Sequence, residues 1–178
     1  MSKKSVVVGI LLLIILVFCI SNRYFFKTTK EKFDSVVLED DVKFALHDSK
    51  VPSYTVAYQY DLEANYILTV KIELNKNLIY EANLGKFTGK GKYYFRVSND
   101  GKNLNYYDFD LRNVKSSVLN SSSSDEVVFE ADVKGMPQTD VFKLDKDKRD
   151  NVISEMSWTN RLSNSKDLLV LTLHLQKK

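Results

Sequence analysis

The spacing of apolar and polar positions divides the chain into two unlike parts. The first has no period. Val6 to Ile20 is fifteen consecutive residues without a charge or a strongly polar group, thirteen of them Val, Ile, Leu or Phe, behind Lys3 and Lys4. As a helix the run would rise roughly 22 Å, short of the ~30 Å of bilayer hydrocarbon by an amount that local thinning can absorb. It lacks the polar face that a surface helix of a soluble fold keeps.

The second part alternates. In Tyr54-Thr55-Val56-Ala57-Tyr58-Gln59-Tyr60 large residues alternate with small or polar ones, and Tyr66, Leu68, Val70, Ile72 and Leu74 form one face of the next segment. A period of two puts one row of side chains toward a core and the other toward water. Asp61 to Asn65 then reads as a link between strands, and Asn75-Lys76-Asn77 as a turn into Leu78 to Ala82. Ser98-Asn99-Asp100-Gly101-Lys102 supplies residues that tolerate positive φ, which predicts a hairpin between Lys92–Val97 and Leu104–Leu111 with their aromatics paired across it. Further strands are expected at Val127–Val133, Val141–Leu144, Val152–Trp158 and Leu168–Leu175, with Gly135-Met136-Pro137 as a break and Lys143–Asp150 as a solvated turn. Phe33 to Ser49 is mixed and admits a short helix or a pair of strands.

The expected architecture is all-β: an antiparallel β-sandwich or small barrel of about eight or nine strands, preceded by one N-terminal apolar helix, transmembrane or signal. Residues 1–21 read as a signal anchor or signal peptide, 22–32 as a polar basic stalk, and 33–178 as a β-rich extracytoplasmic domain. Three fates of the apolar run are weighed: retention as an anchor, cleavage near Ser21, or lipidation at Cys19. Retention is favoured, because Cys19-Ile20-Ser21 is a poor cleavage site and Phe18 stands where a lipidated cysteine needs a small neighbour. Basic residues on both sides of the run leave its orientation to the general habit of such segments, which is to export the chain behind them.

Composition adds exclusions. One cysteine rules out an internal disulfide framework and a cysteine-based zinc site. Lys3 and Lys4 account for two of the 26 basic residues, leaving 24 against 23 acidic ones beyond the apolar run, so no strong field calls for a nucleic acid. The sequence lacks a nucleophile elbow, a phosphate-cradling glycine loop and a zinc-protease helix motif. Asp145, Asp147 and Asp150 imitate a calcium loop, but Arg149 occupies a ligand position and Asp150 the place of the turn glycine, so a solvated charge run is the better reading. Glu39-Asp40-Asp41 reads as surface, as does His174 on the polar side of the last strand, and His47 has no visible partner. Asn120-Ser121-Ser122 fits a glycosylation acceptor.

The stretch Lys86 to Arg96 interleaves basic and aromatic residues as single-strand nucleic-acid platforms do, yet Lys92 stands where the RNA-binding octamer needs an aromatic. The favoured reading is a glycine-rich turn followed by an aromatic core strand with a lysine-bearing edge; the functional one is a surface for an anionic partner, a lipid head group, a glycan or an acidic protein face. Tyr93, Phe95, Tyr106 and Tyr107 are the candidates for partner contact, with core packing preferred. The expected function is a membrane-tethered extracytoplasmic β-domain that acts by binding: an accessory, assembly or interaction protein of the cell envelope, held through residues 6–20. It is expected to be no enzyme, to bind a protein partner and no nucleic acid, and to need no cofactor or metal. The rival is an exported small-ligand carrier or enzyme with an aromatic-lined cavity, for which ten Tyr and ten Phe leave room.

Overall fold

A computed structural model describes residues 31–38, 53–110, 123–159 and 167–178. The chain divides into two units, Met1–Lys30 and Glu31–Lys178, and the described residues all lie in the second. The apolar run, Cys19, Glu39–Asp41, His47 and Asn120 fall outside them. Among the described residues no helix is long and apolar enough to cross a membrane.

The alternating segments form seven antiparallel strands: β1 (Lys32–Val36), β2 (Ser53–Leu74), β3 (Asn77–Asp110), β4 (Ser123–Lys134), β5 (Gln138–Val141), β6 (Asp150–Thr159) and β7 (Leu168–Lys177). Their order across the sheet is β4-β3-β2-β7-β6-β5, with β1 also paired to β2. β1 covers Ala57–Asp61 of β2 and β7 covers Tyr66–Leu74, so the two lie end to end along one side of β2. The outermost strands β4 and β5 are consecutive in the chain and joined by only Gly135, Met136 and Pro137, which span at most ~14 Å. The sheet is therefore curled until its two margins meet at one end, where the Trp158 indole N–H donates to the Gly135 carbonyl at 2.9 Å.

Two strands are far longer than the sequence suggests, and this corrects two expectations. The nine expected segments give six strands, because Tyr54–Tyr60 and Tyr66–Leu74 fuse into β2, and Leu78–Ala82, Lys92–Val97 and the described part of Leu104–Leu111 fuse into β3; β1, from the mixed stretch after Phe33, makes the seventh described strand. The hairpin around Ser98–Lys102 does not form; there β3 changes partner from β2 to β4. Its turn residues make a bend instead. Gly101 takes φ 111° and donates its N–H to Asn99 Oδ1 at 2.9 Å, while the Asn99 amide donates to the Val133 carbonyl. Asp100 Oδ1 accepts the Lys102 and Asn103 N–H groups, and those bonds hold its carboxyl below the usual aspartate range. The Asn75–Lys76 turn forms as the sequence predicts, with both residues at positive φ, the geometry of a two-residue hairpin.

Bulges keep the long strands amphipathic. Leu84 is an extra residue opposite β2, so the inward positions of β3 change from Tyr80 and Ala82 to Phe87, Tyr93, Phe95 and Val97. A second irregularity after Gly101 returns the inward row to Leu104 and Tyr106. Opposite Thr88, β2 carries Glu63, Ala64 and Asn65, an excess of two, which leaves Leu62 and Tyr66 both facing inward. Fully extended, Tyr80 and Tyr106 would lie roughly 85 Å apart; their hydroxyls are 3.0 Å apart, so β3 coils back across the core. Leu169, Leu171, Leu173 and Leu175 of β7 are wholly buried, each stabilising the fold by ~1.5–3 kcal/mol.

Candidate functional site

Alternation along β3 sorts the basic-aromatic stretch into two faces. Phe87, Tyr93 and Phe95 are buried in the main core. Lys86, Lys90, Lys92, Tyr94 and Arg96 take the outer face, where Tyr94 is covered by Ala57, Leu38 and Phe109, and the Arg96 guanidinium lies 5.8 Å from the Tyr107 ring centre. Of the four aromatic candidates, Tyr93, Phe95 and Tyr106 are core residues, as preferred, and Tyr107 is half-buried on the outer side.

The lysines meet a groove on that outer face. Lys32, Asp61 and Lys90 are direct cross-strand neighbours on β1, β2 and β3, and Gln59 is paired with Lys92 in the adjoining row. These residues with Tyr60 and Gly91 line an open cavity of about 430 Å³. Asp61 accepts Lys90 Nζ at 3.0 Å, and Lys90 itself is largely exposed. Three lysines and Asp61 thus line the groove, and Asp34 of β1 is the cross-strand neighbour of Gln59 in its adjoining row. At the other end of the hairpin Lys71 Nζ lies 3.5 Å from the Glu81 carboxylate.

A second cluster stands beside the groove, where β1 begins and β7 ends. Glu31 presents its carboxylate to the β2 bulge: Oε1 accepts the N–H of Glu63 at 3.1 Å and of Ala64 at 2.8 Å, and Oε2 accepts the Tyr66 hydroxyl at 2.8 Å and Lys177 Nζ at 3.4 Å. The side chain is only 8% exposed. Burial alone would raise its pKa, but the Ala64 N–H, the Tyr66 hydroxyl and Lys177 together hold the carboxyl below its ordinary value. Burial and the adjacent carboxylate push the Tyr66 hydroxyl up. The bulge explains the arrangement. Its N–H groups have no strand partner in the gap between β1 and β7, and unpaired backbone donors are costly.

Two tyrosines and an aspartate form a third cluster. Asp125 accepts the hydroxyls of Tyr80 and of Tyr106, the latter at 3.1 Å, and Tyr106 stacks on Phe95 with ring centres 5.6 Å apart. Burial, reinforced by the neighbouring hydroxyl and carboxylate, raises the Tyr106 hydroxyl. The cluster ties the two ends of β3 to β4. The three aspartates of the charge run turn apart: Asp145 accepts the Asp147 N–H and faces Lys148, whereas Asp150 faces His174 and Gln176. His174 is mostly covered and also bonds Thr172 at 3.1 Å, so it is less exposed than its polar row suggests. Among the described residues no three His, Cys, Asp or Glu side chains are grouped to hold a metal.

Sequence reasoning singled out the lysines but missed both carboxylate clusters. Glu31 sits in what reads as a stalk, and its partners lie 32 to 146 residues away. Asp125 closes a serine run that reads as a loop. Comparison with protein-family models, curated proteins and solved structures gives no match to this chain.

Proposed function

We propose that the chain is a membrane-tethered extracytoplasmic binding protein, a small curled β-domain held at the cell envelope by residues 6–20. The observation that carries this reading is the apolar run behind Lys3 and Lys4, followed within about a dozen residues by an all-β unit. A retained anchor fits the run's hydrophobicity: each Leu, Ile, Val or Phe favours insertion by roughly 0.3–0.6 kcal/mol, several kcal/mol in sum.

The packing of the aromatics weighs against the carrier. Phe33 stacks on Tyr60 at 5.6 Å and meets Tyr58, Phe87 and Tyr93 at 5.0–6.4 Å, while Phe87 stands edge-on to Tyr60 and Tyr93. Rings in such contact leave no room among themselves for a ligand. Fractionation of intact cells with added protease tests the placement. The expected result is a membrane-bound chain whose domain is digested from outside without lysis. A soluble chain, or one digested only after lysis, would overturn it. Mass spectrometry of the mature N-terminus separates the anchor from its rivals: a start at Asn22, or a lipidated Cys19, would refute retention.

A further inference from the structure

We propose that the free edge of β4 receives an extended segment of a partner protein as an added antiparallel strand, one in which lysine or arginine, an apolar residue, and lysine or arginine again follow at alternate positions. The proposal rests on the reading of the domain as a binding protein and is independent of the tether.

Three observations lead there. The first is the edge itself. β4 and β5 end the strand order, so among the described residues neither has a strand on its far side. β5 is four residues long, a brevity that protects an edge; β4 has twelve. In an antiparallel ladder alternate residues turn their N–H and C=O groups away from the partner, and on β4 these point past the margin of the sheet. Between Val128 and Val133 the ladder to β3 also lapses, with residues 129–132 set against Lys102 alone. Backbone groups left in this way are a template for another strand.

The second is the outward row. Val127 and Phe129 are buried, whereas Glu126, Val128 and Glu130 are exposed, Val128 at 70%. An apolar side chain thus stands in water between two carboxylates, each roughly 7 Å from it along the strand. Neither carboxylate meets an ammonium or guanidinium group among the described residues. The described side chains of residues 100–108 and 125–134 set the carboxylates of Asp100, Asp108, Asp125, Glu126 and Glu130 against the ammonium groups of Lys102 and Lys134, so the margin is acidic.

The third is what this row repels. Two copies of β4 paired about a twofold axis through Val128 would set each Glu126 against the other copy's Glu130, and like charges directly opposite are destabilising. The same register with lysine or arginine on the incoming strand makes two opposite-charge pairs around one apolar pair. The row therefore selects a basic strand by repulsion as well as by attraction. Main-chain bonds along the edge would supply the affinity and the alternate side chains the choice of partner.

The test keeps the full chain in detergent micelles, so that its outcome does not depend on residues 6–20. Hydrogen exchange over β4 is read by mass spectrometry at low salt, with and without three end-blocked peptides at millimolar concentration. Ser-Thr-Lys-Thr-Val-Thr-Lys-Thr-Ser is expected to slow exchange across residues 126–131, and its glutamate counterpart, Ser-Thr-Glu-Thr-Val-Thr-Glu-Thr-Ser, to leave it unchanged. The isomer Ser-Thr-Lys-Lys-Val-Thr-Thr-Thr-Ser, with the same charge on alternate faces, should bind more weakly. In E126K/E130K, whose circular dichroism verifies the fold, the preference should reverse. The lysine peptide is then weakened about tenfold, equivalent to ~1.4 kcal/mol for two cross-strand charge pairs, and the glutamate peptide binds in its place. Should that variant misfold, the three peptides on the unaltered chain still decide. Equal binding of the isomer would overturn the proposal, since bulk charge would then suffice. So would β4 amides that exchange as slowly in the free chain as those of β2, because the edge would already be covered. Absence of protection by every peptide overturns the edge alone, and a chain that fractionates as soluble leaves the edge standing while the tether falls.

Discussion

β2 and β3 lie side by side over the whole length of β2, yet the two halves of that hairpin are packed by different means. Beyond the bulge, toward the Asn75–Lys76 turn, the interior is aliphatic: Leu68, Val70 and Ile72 of β2 stand opposite Leu171, Leu173 and Leu175 of β7. Before the bulge it is aromatic, with Tyr58, Tyr60 and Tyr93 gathered around Phe33 of β1. The difference follows from the flanking strand. β7 offers ten residues of steady alternation, and small branched side chains tile such a surface. β1 offers five residues and one inward ring, so one large side chain must fill what four leucines fill on the other side. A short strand is held by its largest residue, and a long strand by its repetition.

The most direct way to break this comparison is to remove the ring. Phe33→Ala is expected to destabilise the fold by about 4 kcal/mol, against about 3 kcal/mol for Leu171→Ala, because four aromatic neighbours cannot collapse into the cavity as readily as leucines can. Urea denaturation measures both. Trp158, the single tryptophan, reports the aliphatic half, and tyrosine near-ultraviolet dichroism reports the aromatic one. Coincident transitions would show that the halves differ in packing but unfold as one.

Glu31, at the seam between the halves, comes next. Glu31→Gln should cost about 2 kcal/mol, since charge-assisted bonds to two bulge N–H groups, a hydroxyl and an ammonium are weakened together. Its effect on pH dependence has a definite sign. The folded carboxyl titrates below the ordinary 4.5. In that window the unfolded chain therefore binds more protons, and stability rises with pH. The contribution is complete above 4.5 and is lost as pH falls through the folded value. In the glutamine variant this part of the acid branch should be absent, as denaturation across about pH 3–6 would reveal.

Asp125→Asn tests the closure that brings Tyr80 and Tyr106 together. A loss of about 1 kcal/mol is expected, with both tyrosines becoming easier to ionise in a spectrophotometric titration, because the carboxylate that opposes their negative charge is gone. The smallest effect should come from the Lys71–Glu81 pair on the outer face: Lys71→Ala ought to change stability by no more than about 0.5 kcal/mol, the ordinary size of an exposed pair.

How much of this was legible in sequence depends on the range of the interaction responsible. The four leucines of β7 and the Asn75–Lys76 turn were readable because period and turn chemistry are local. The inward rings of Tyr93 and Phe95 were readable for the same reason, whereas the glycine-rich stretch before them, expected as a turn, runs on as part of β3 and buries Phe87. The bend at Asn99–Gly101 was misread because the same residues serve a hairpin or a change of partner, and only the distant Val133 carbonyl decides between them. Glu31 was invisible, since neither the bulge nor Lys177 leaves a signal near it in the chain.

The joining of Glu31 to Lys177 also governs the order of events in time. The β2–β3 hairpin can zip from a two-residue turn at little entropic cost, whereas the Glu31–Lys177 contact closes 146 residues of chain. A contact that forms so late is absent from the barrier region of folding, and its loss is felt almost wholly on the way out. Glu31→Gln should therefore leave the refolding rate nearly unchanged and speed unfolding about thirtyfold, the factor matching its ~2 kcal/mol. Glu31 is then a latch on lifetime: it sets how long the domain stays closed once built, at the point where the chain enters it.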